Sequence, residues 1–281
     1  MFAAAIAAFA VSGHLRNSAP PRHRARAAGT LSEPRRRPNA VHHHGRPLLP
    51  AAQEAALRRF IRIGLPLYCG GRRSHDVALT FDDGPGPYTR LALRILRRAN
   101  AHASFFLVGR LLARYPTLPR RERALGTIGD HTWSHPPLPL LPRPQMTQEI
   151  AGAKAAIERF GGGRVQLFRP PYGLHDAAVD RTVHRLGMLE VIWSIDSKDS
   201  YPGPSTTWQH IGKTVDRSIR PGSIVLLHEN RGQTLLALER RILPALRRRG
   251  LHSVDVSELL AVDPPSLRQL REGLIGCRGL G

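Results

Sequence analysis

At 281 residues, 41% of them hydrophobic, the chain is long enough to build one large α/β domain with a sizeable core, or two small ones. A formal net charge of +21 would ordinarily point to a phosphate polymer or another anionic surface. Only three of the 42 basic residues are lysines, however, and eight Trp and Tyr residues offer few stacking platforms, so the excess of Arg, Ala, Gly and Pro reads as codon bias and no specific nucleic-acid partner is expected.

Residues 1–11 form an uncharged apolar run that resembles the core of an export signal. No basic residue precedes it, and Arg16, Arg22, Arg24 and Arg26 follow it, the reverse of the usual signal order. It is also shorter than the roughly 20 residues that a membrane span takes. A truncated or misassigned signal or anchor is expected here, with a chance start site as the competing explanation. To about residue 50 the chain is rich in Arg, Pro and His and poor in large apolar residues, so a disordered basic tail or linker is expected. His42, His43 and His44 read as solvated rather than as a metal site. Residues 1–75 hold 13 arginines against Glu33 and Glu54, which places +11 of the charge in the first quarter of the chain.

Residues 51–73 hold a short flanking helix that either packs on the main domain or hangs free. From residue 74 to 261, strand-like runs (77–79, 104–108, 127–129, 165–167, 189–192, 223–227 and 252–256) alternate with helix-like ones (88–101, 147–160 and 234–248). The alternation predicts βα units, a mostly parallel sheet and an incomplete barrel of about seven strands. Residues 262–281 are left as a C-terminal tail. Cys69 and Cys277 flank the motif region without zinc-site spacing; two unpaired thiols are the plainer reading and one disulfide the other.

Five polar motifs follow strand-like runs: TFDDGP (80–85), HTWSH (131–135), FRPPYG (168–173), WSIDSKD (193–199) and LLH (226–228). Loops at the carboxyl ends of parallel strands converge on one rim, so these distant residues are candidates for one site. Asp82 and Asp83 are adjacent carboxylates at a strand end, where successive side chains diverge: one would turn to a metal and the other to substrate or water. His131 and His135, four apart, would share one face of a helical turn and suit a single first-row metal. With Asp83 they make a set of two histidines and one carboxylate, the donor set of Fe(II) oxygenases and of Zn(II) hydrolases. An open position on such an ion lowers the pKa of bound water from about 16 toward 7. Asp82 is then the candidate base and His228 the candidate acid for a departing amine. Singly, each has a plain alternative: a turn-capping Asp82, a core His228, a surface accident for the HxxxH spacing. Together they point to one site.

The motifs, in this order and at these separations, resemble the polysaccharide deacetylases of carbohydrate esterase family 4, the NodB-homology domain. The resemblance implies a distorted βα barrel holding a divalent metal, usually zinc, with cobalt or another divalent ion as alternatives. It implies removal of N- or O-acetyl groups from chitin, peptidoglycan, xylan or related glycans. Asp83, His131 and His135 would be the metal ligands, Asp82 the base, His228 the acid, Asp199 its orienting carboxylate and Arg169 the residue that steadies the base. Pro171 and Tyr172 would form a groove wall, with the Tyr172 N–H facing the developing oxyanion. Leu226 would line the pocket for the acetyl methyl, and Trp193 is a further substrate-contact candidate. Three positions depart from the family's usual pattern: Ser200 in place of Trp, Asp130 in place of Asn, adding a charge near the metal, and Glu229 in place of Asp. An extracytoplasmic monomer whose basic tail contacts anionic envelope polymers is expected. A metal-dependent amidase for a small non-sugar amide and a catalytically idle wall-binding module are the other readings.

Overall fold

The computed structural model describes residues 50–278, apart from 202, 204 and 205. The apolar start, the Arg/Pro/His stretch and the His42–His44 triplet lie outside the described residues. The sheet contains β1 (Asp76–Gly84), β2 (Ser104–Leu107), β3 (Ile128–Asp130), β4 (Leu167–Phe168), β5 (Leu189–Glu190), β6 (Ile195–Asp196), β7 (Ile224–His228) and β8 (His252–Val254). Its order is β5-β4-β3-β2-β1-β7-β6, with β8 paired to the start of β1. Every paired strand is parallel.

The path curls into the distorted, incomplete barrel that the motif order implied. β5 and β6 are two ends of one extended run: Leu189 and Glu190 pair with β4, and Ile195 and Asp196 pair with β7. Leu67 bridges to Val191 and Cys69 to Ser223, so the segment before β1 laces the same seam from the amino end. No eighth βα unit is needed to bring the two sides together.

Alternation along β1 sorts its side chains. Val77, Leu79 and Phe81 join Phe105, Leu107, Val225 and Leu227 beneath the surrounding helices. Ala78 instead joins Phe106, Leu167, Val191, Ile224 and Val254 in a second cluster. Helices α1 (Pro50–Ile63) and α9 (Val256–Val262) pack together on this second cluster through Leu57, Phe60, Val256, Leu259 and Leu260. The flanking helix is therefore docked, and each such buried Leu or Phe contributes roughly 1.5–3 kcal/mol. In α2 (Thr89–Arg98), Ala92, Leu93, Ile95 and Leu96 are buried while Arg90, Arg94, Arg97 and Arg98 face outward, which shows how an arginine-rich chain still builds amphipathic helices.

Some boundaries differ from the sequence reading. Helix α4 (Arg143–Gly161) begins four residues before the expected Thr147, because Pro144 is accommodated in its first turn, and Thr147 donates to the Arg143 carbonyl instead of capping. The last strand ends at Val254: Asp255 and Glu258 form a reciprocal capping box that starts α9. Helix α5 (Ala177–Arg185) is capped by Asp176, which accepts from the N–H groups of Ala178 and Val179.

The plainer expectation of two free thiols is corrected. Cys69 and Cys277 form a disulfide with a Cα–Cα separation of 5.9 Å across 208 residues. Cys69 is held at the seam opposite Ser223, while α10 (Leu267–Glu272) and α11 (Leu274–Arg278) bring Cys277 back, and Arg72 and Arg220 both donate to its carbonyl. Spacing in sequence carries no trace of this return.

Candidate active site

β1 carries one more residue than β2 between matched positions, since Phe81 faces Phe105 and Gly84 faces Leu107. This bulge and the left-handed backbone of Asp83 (φ 66°) turn both carboxylates to one side, instead of the divergence expected for a regular strand. His131 Nε2 lies 3.7 Å from Asp82 Oδ2 and 3.8 Å from Asp83 Oδ1. His135 Nε2 lies 3.5 Å from Asp83 Oδ1.

The HTWSH segment is not helical, which corrects the second local expectation. Thr132 (φ 66°) and His135 (φ 69°) both adopt left-handed conformations, and the two imidazoles meet edge to face with centroids 4.8 Å apart. The loop is tied down at several points. Thr132 N–H donates to Asp130 Oδ1 at 2.7 Å, His135 N–H to Thr132 Oγ1 at 3.0 Å, and Ser134 N–H and Oγ–H to the Glu149 carboxylate at 2.7 and 2.8 Å. Glu149, on α4, carried no motif signal in the sequence.

One ligand atom each from Asp83, His131 and His135 lies within 4.8 Å of the other two. His131 Nδ1 is 2.7 Å from the Arg169 carbonyl, which can only accept, so Nδ1 carries a proton and Nε2 is the ring nitrogen turned to the carboxylates. Burial, then the neighbouring His131, lowers the His135 pKa below the usual histidine value and keeps that ring neutral. Two imidazoles and a carboxylate fit a divalent first-row ion. Asn230 Nδ2 donates to Asp83 Oδ2 at 3.2 Å and orients this carboxylate, a role no motif announced.

Arg169 fills the barrel interior and is fully buried. It donates to Asp82 Oδ1 and Thr80 Oγ1 at 2.8 Å each and to the Val191 and Ile192 carbonyls at 3.0 and 2.9 Å, with its guanidinium 4.1 Å from the Phe106 ring centroid. Asp82 is thus held through one oxygen and left free to act through the other. His228 stands beside Asp82 in register on the neighbouring strand β7. Its Nδ1 bonds Asp199 Oδ1 at 2.7 Å, and Asp199 Oδ2 accepts from the His228 N–H and from Thr234 Oγ1. Burial lowers the His228 pKa, but the Asp199 hydrogen bond and charge, with Asp82 and Asp83 beyond, outweigh it and bring the value up to about 9. Burial raises Asp199, and the bonds from His228 and Thr234 more than offset it, holding that carboxyl below its ordinary range. Thr234 is a third contributor absent from the sequence reading.

Pro171 is buried and Tyr172 exposed in the turn Pro171–Gly173, with the Tyr172 ring 4.7 Å from that of His135. Leu226 is buried on β7, two residues before His228 and so on the same face; it belongs to neither apolar cluster. Trp193 is half-buried below this turn, where a Cβ at Gly173 would meet its ring and the Arg169 guanidinium lies 5.7 Å from its centroid. It braces Gly173 from beneath. Trp133 is more exposed, beside a cleft lined by Ser134, Gln145, Gln148 and Glu149.

Residues 70–191 match the family model described as polysaccharide deacetylase. The chain is 36% identical to a chitooligosaccharide deacetylase of Azorhizobium caulinodans, over 62% of this chain and 90% of that protein. The chain belongs to the polysaccharide deacetylase family. It is also 37% identical to a peptidoglycan-N-acetylglucosamine deacetylase of Bacillus cereus, over 66% of this chain and 87% of the relative. The solved family 4 carbohydrate esterase from Streptomyces lividans, in complex with acetate, superposes with a TM-score of 0.59 at 35% identity, covering 66% of this chain and 92% of that one. The stretch matched by the polysaccharide deacetylase model carries Asp82, Asp83, His131, His135 and Arg169, while Asp199 and His228 lie beyond it.

Proposed function

We propose that this chain is a metal-dependent hydrolase that removes acetyl groups from an N-acetylglucosamine-containing glycan such as chitin or peptidoglycan, or from acetylated xylan. The observation that carries the reading is the placement of Asp82 and His228 side by side on neighbouring strands, next to the Asp83–His131–His135 cluster. The named substrates of the relatives support the glycan class.

Asp83, His131 and His135 would hold the divalent ion, zinc in the first instance. When bound, such an ion makes a water acidic near neutral pH and polarises the acetyl carbonyl. Asp82 takes the proton of the attacking water through Oδ2, its other oxygen being committed to Arg169. His228 delivers a proton to the departing amine or alkoxide; its imidazolium is stabilised by Asp199 and held in one orientation by the 2.7 Å bond. The Tyr172 N–H is the donor assigned to the developing oxyanion, an interaction worth about 3–4 kcal/mol in comparable sites. Leu226 lines the space for the methyl, and Pro171 and Tyr172 wall the groove. Tyr201, half-exposed beside Ser200, offers a ring near the position where the family has Trp. The disulfide favours an extracytoplasmic setting, where such bonds persist.

The test is acetate release from chitooligosaccharides, peptidoglycan and acetylated xylan by zinc-loaded protein, with Asp82→Asn expected to lower kcat by about 10²–10⁴ without loss of bound zinc. Release from none of these glycans sinks the reading. The missing Trp at Ser200 keeps a second reading open, an amidase for a small non-sugar amide, which a small-molecule panel would show.

A further inference from the structure

We propose that His175, Asp180 and Glu190 form a second divalent-cation site, separate from the Asp83–His131–His135 cluster and independent of the reaction proposed above. The three residues come from the loop after Gly173, from α5 and from β5. His175 Nδ1 lies 2.9 Å from Asp180 Oδ1 and 3.2 Å from Glu190 Oε1, and the three ligand atoms lie within 4.8 Å of one another. One imidazole nitrogen and two carboxylate oxygens are a donor set suited to zinc or a similar first-row ion.

Glu190 is the observation that asks for a ligand. Its side chain is 4% exposed, yet neither carboxylate oxygen takes part in a hydrogen bond among the described residues. A buried carboxyl left so is costly. A proton on His175 Nδ1 serves Asp180 and leaves Glu190 Oε2 unanswered, whereas a cation engages both carboxylates. The far nitrogen of His175, Nε2, is 3.2 Å from the Tyr68 hydroxyl, so with Nδ1 on a cation the Nε2–H has an acceptor in place, the outer partner that metal-bound histidines usually have. Since His175 follows Tyr172 by three residues, an ion here would anchor the turn that presents Tyr172 to the groove.

The experiment uses the full chain with His42, His43 and His44 replaced by Ala, so that the triplet takes up no metal. This protein and its variants are equilibrated with Zn²⁺, desalted, and assayed for bound zinc by elemental analysis and calorimetry. Two equivalents are expected in the parent, one in Asp83→Asn/His131→Ala, one in Glu190→Gln and none in the combined variant. Zinc should also raise the melting temperature of Asp83→Asn/His131→Ala, and the rise should vanish when Glu190→Gln is added. One equivalent in the parent, lost entirely in Asp83→Asn/His131→Ala, overturns the second site while leaving the first intact. Two equivalents retained in Glu190→Gln overturn it as well. Should Glu190→Gln fold poorly, His175→Asn gives the same readout from the opposite ligand.

Discussion

Asp130 shows how far a single side chain's surroundings can revise its expected charge. From sequence, an Asp immediately before His131 adds a negative charge beside the metal ligands. In the fold it is fully buried, its Oδ1 accepts from Thr132 N–H at 2.7 Å, and its Oδ2 has no hydrogen-bond partner among the described residues. Burial pushes its pKa well above the usual carboxylate range, which favours the protonated carboxyl, a group with one acceptor and one donor like the amide of Asn. Asp130→Asn should therefore change unfolding free energy by no more than about 1 kcal/mol and leave deacetylation within a few-fold of the parent. A loss of kcat beyond tenfold, with zinc still bound, would mean that the carboxylate acts in its ionised form.

At the level of loops and strands, the backbone that assembles the site is unusual and the rest is not. Of the non-glycine residues with positive φ among the described residues, Asp83, Thr132, His135, Tyr172 and Lys198 all lie in the motifs, and Asn100 alone lies elsewhere. Such conformations cost of order 1–3 kcal/mol each and persist only where surrounding contacts enforce them. Gly84 is one of the enforcing positions: a Cβ there would collide with Glu229 Oε1, and Glu229 is itself fully buried. Burial raises Glu229 to about 7 and Glu122 well above the usual range, and the two carboxyls lie next to each other. Gly84→Ala should lose about 1–3 kcal/mol of stability in urea melts and weaken zinc binding by displacing Asp83. Unchanged zinc affinity in that variant would show that the bulge tolerates the shift. These conformations are also where the sequence reading failed locally. An HxxxH spacing reads as a helical turn and a DD pair as diverging strand residues, because periodicity assumes regular backbone. The βα alternation and the candidates Asp83, His131 and His135 were legible, since they depend on patterns that regular elements preserve.

For the molecule as a whole, the bond between Cys69 and Cys277 joins the segment before β1 to the end of the described chain. No helix among the described residues is long and apolar enough to cross a membrane. A loop of 208 residues closed by one bond restricts the unfolded chain strongly, and removing such a bond costs about 2–5 kcal/mol. Cys277→Ser should lower the melting temperature by roughly 4–20 °C, at about 2–4 °C per kcal/mol for a domain of this size. Because neither cysteine, nor any residue of α10 or α11, is among the candidate site residues, kcat at 25 °C should stay within a few-fold. An equal melting temperature for the Cys277→Ser and parent proteins would show that the helices dock without the bond.

The sequence alone determined the βα order and the incomplete barrel, and it named as candidates Asp82, Asp83, His131, His135, Arg169, Asp199 and His228, which the fold brings together, because period, turn residues and motif order are local properties. It left open the convergence of both aspartates, the orienting roles of Asn230, Thr234 and Glu149, the full burial of Asp130 and the pairing of Cys69 with Cys277. Each of these depends on which groups the chain brings together across long separations, on backbone angles outside regular structure, or on how much water the fold removes. Only the tertiary structure sets those quantities.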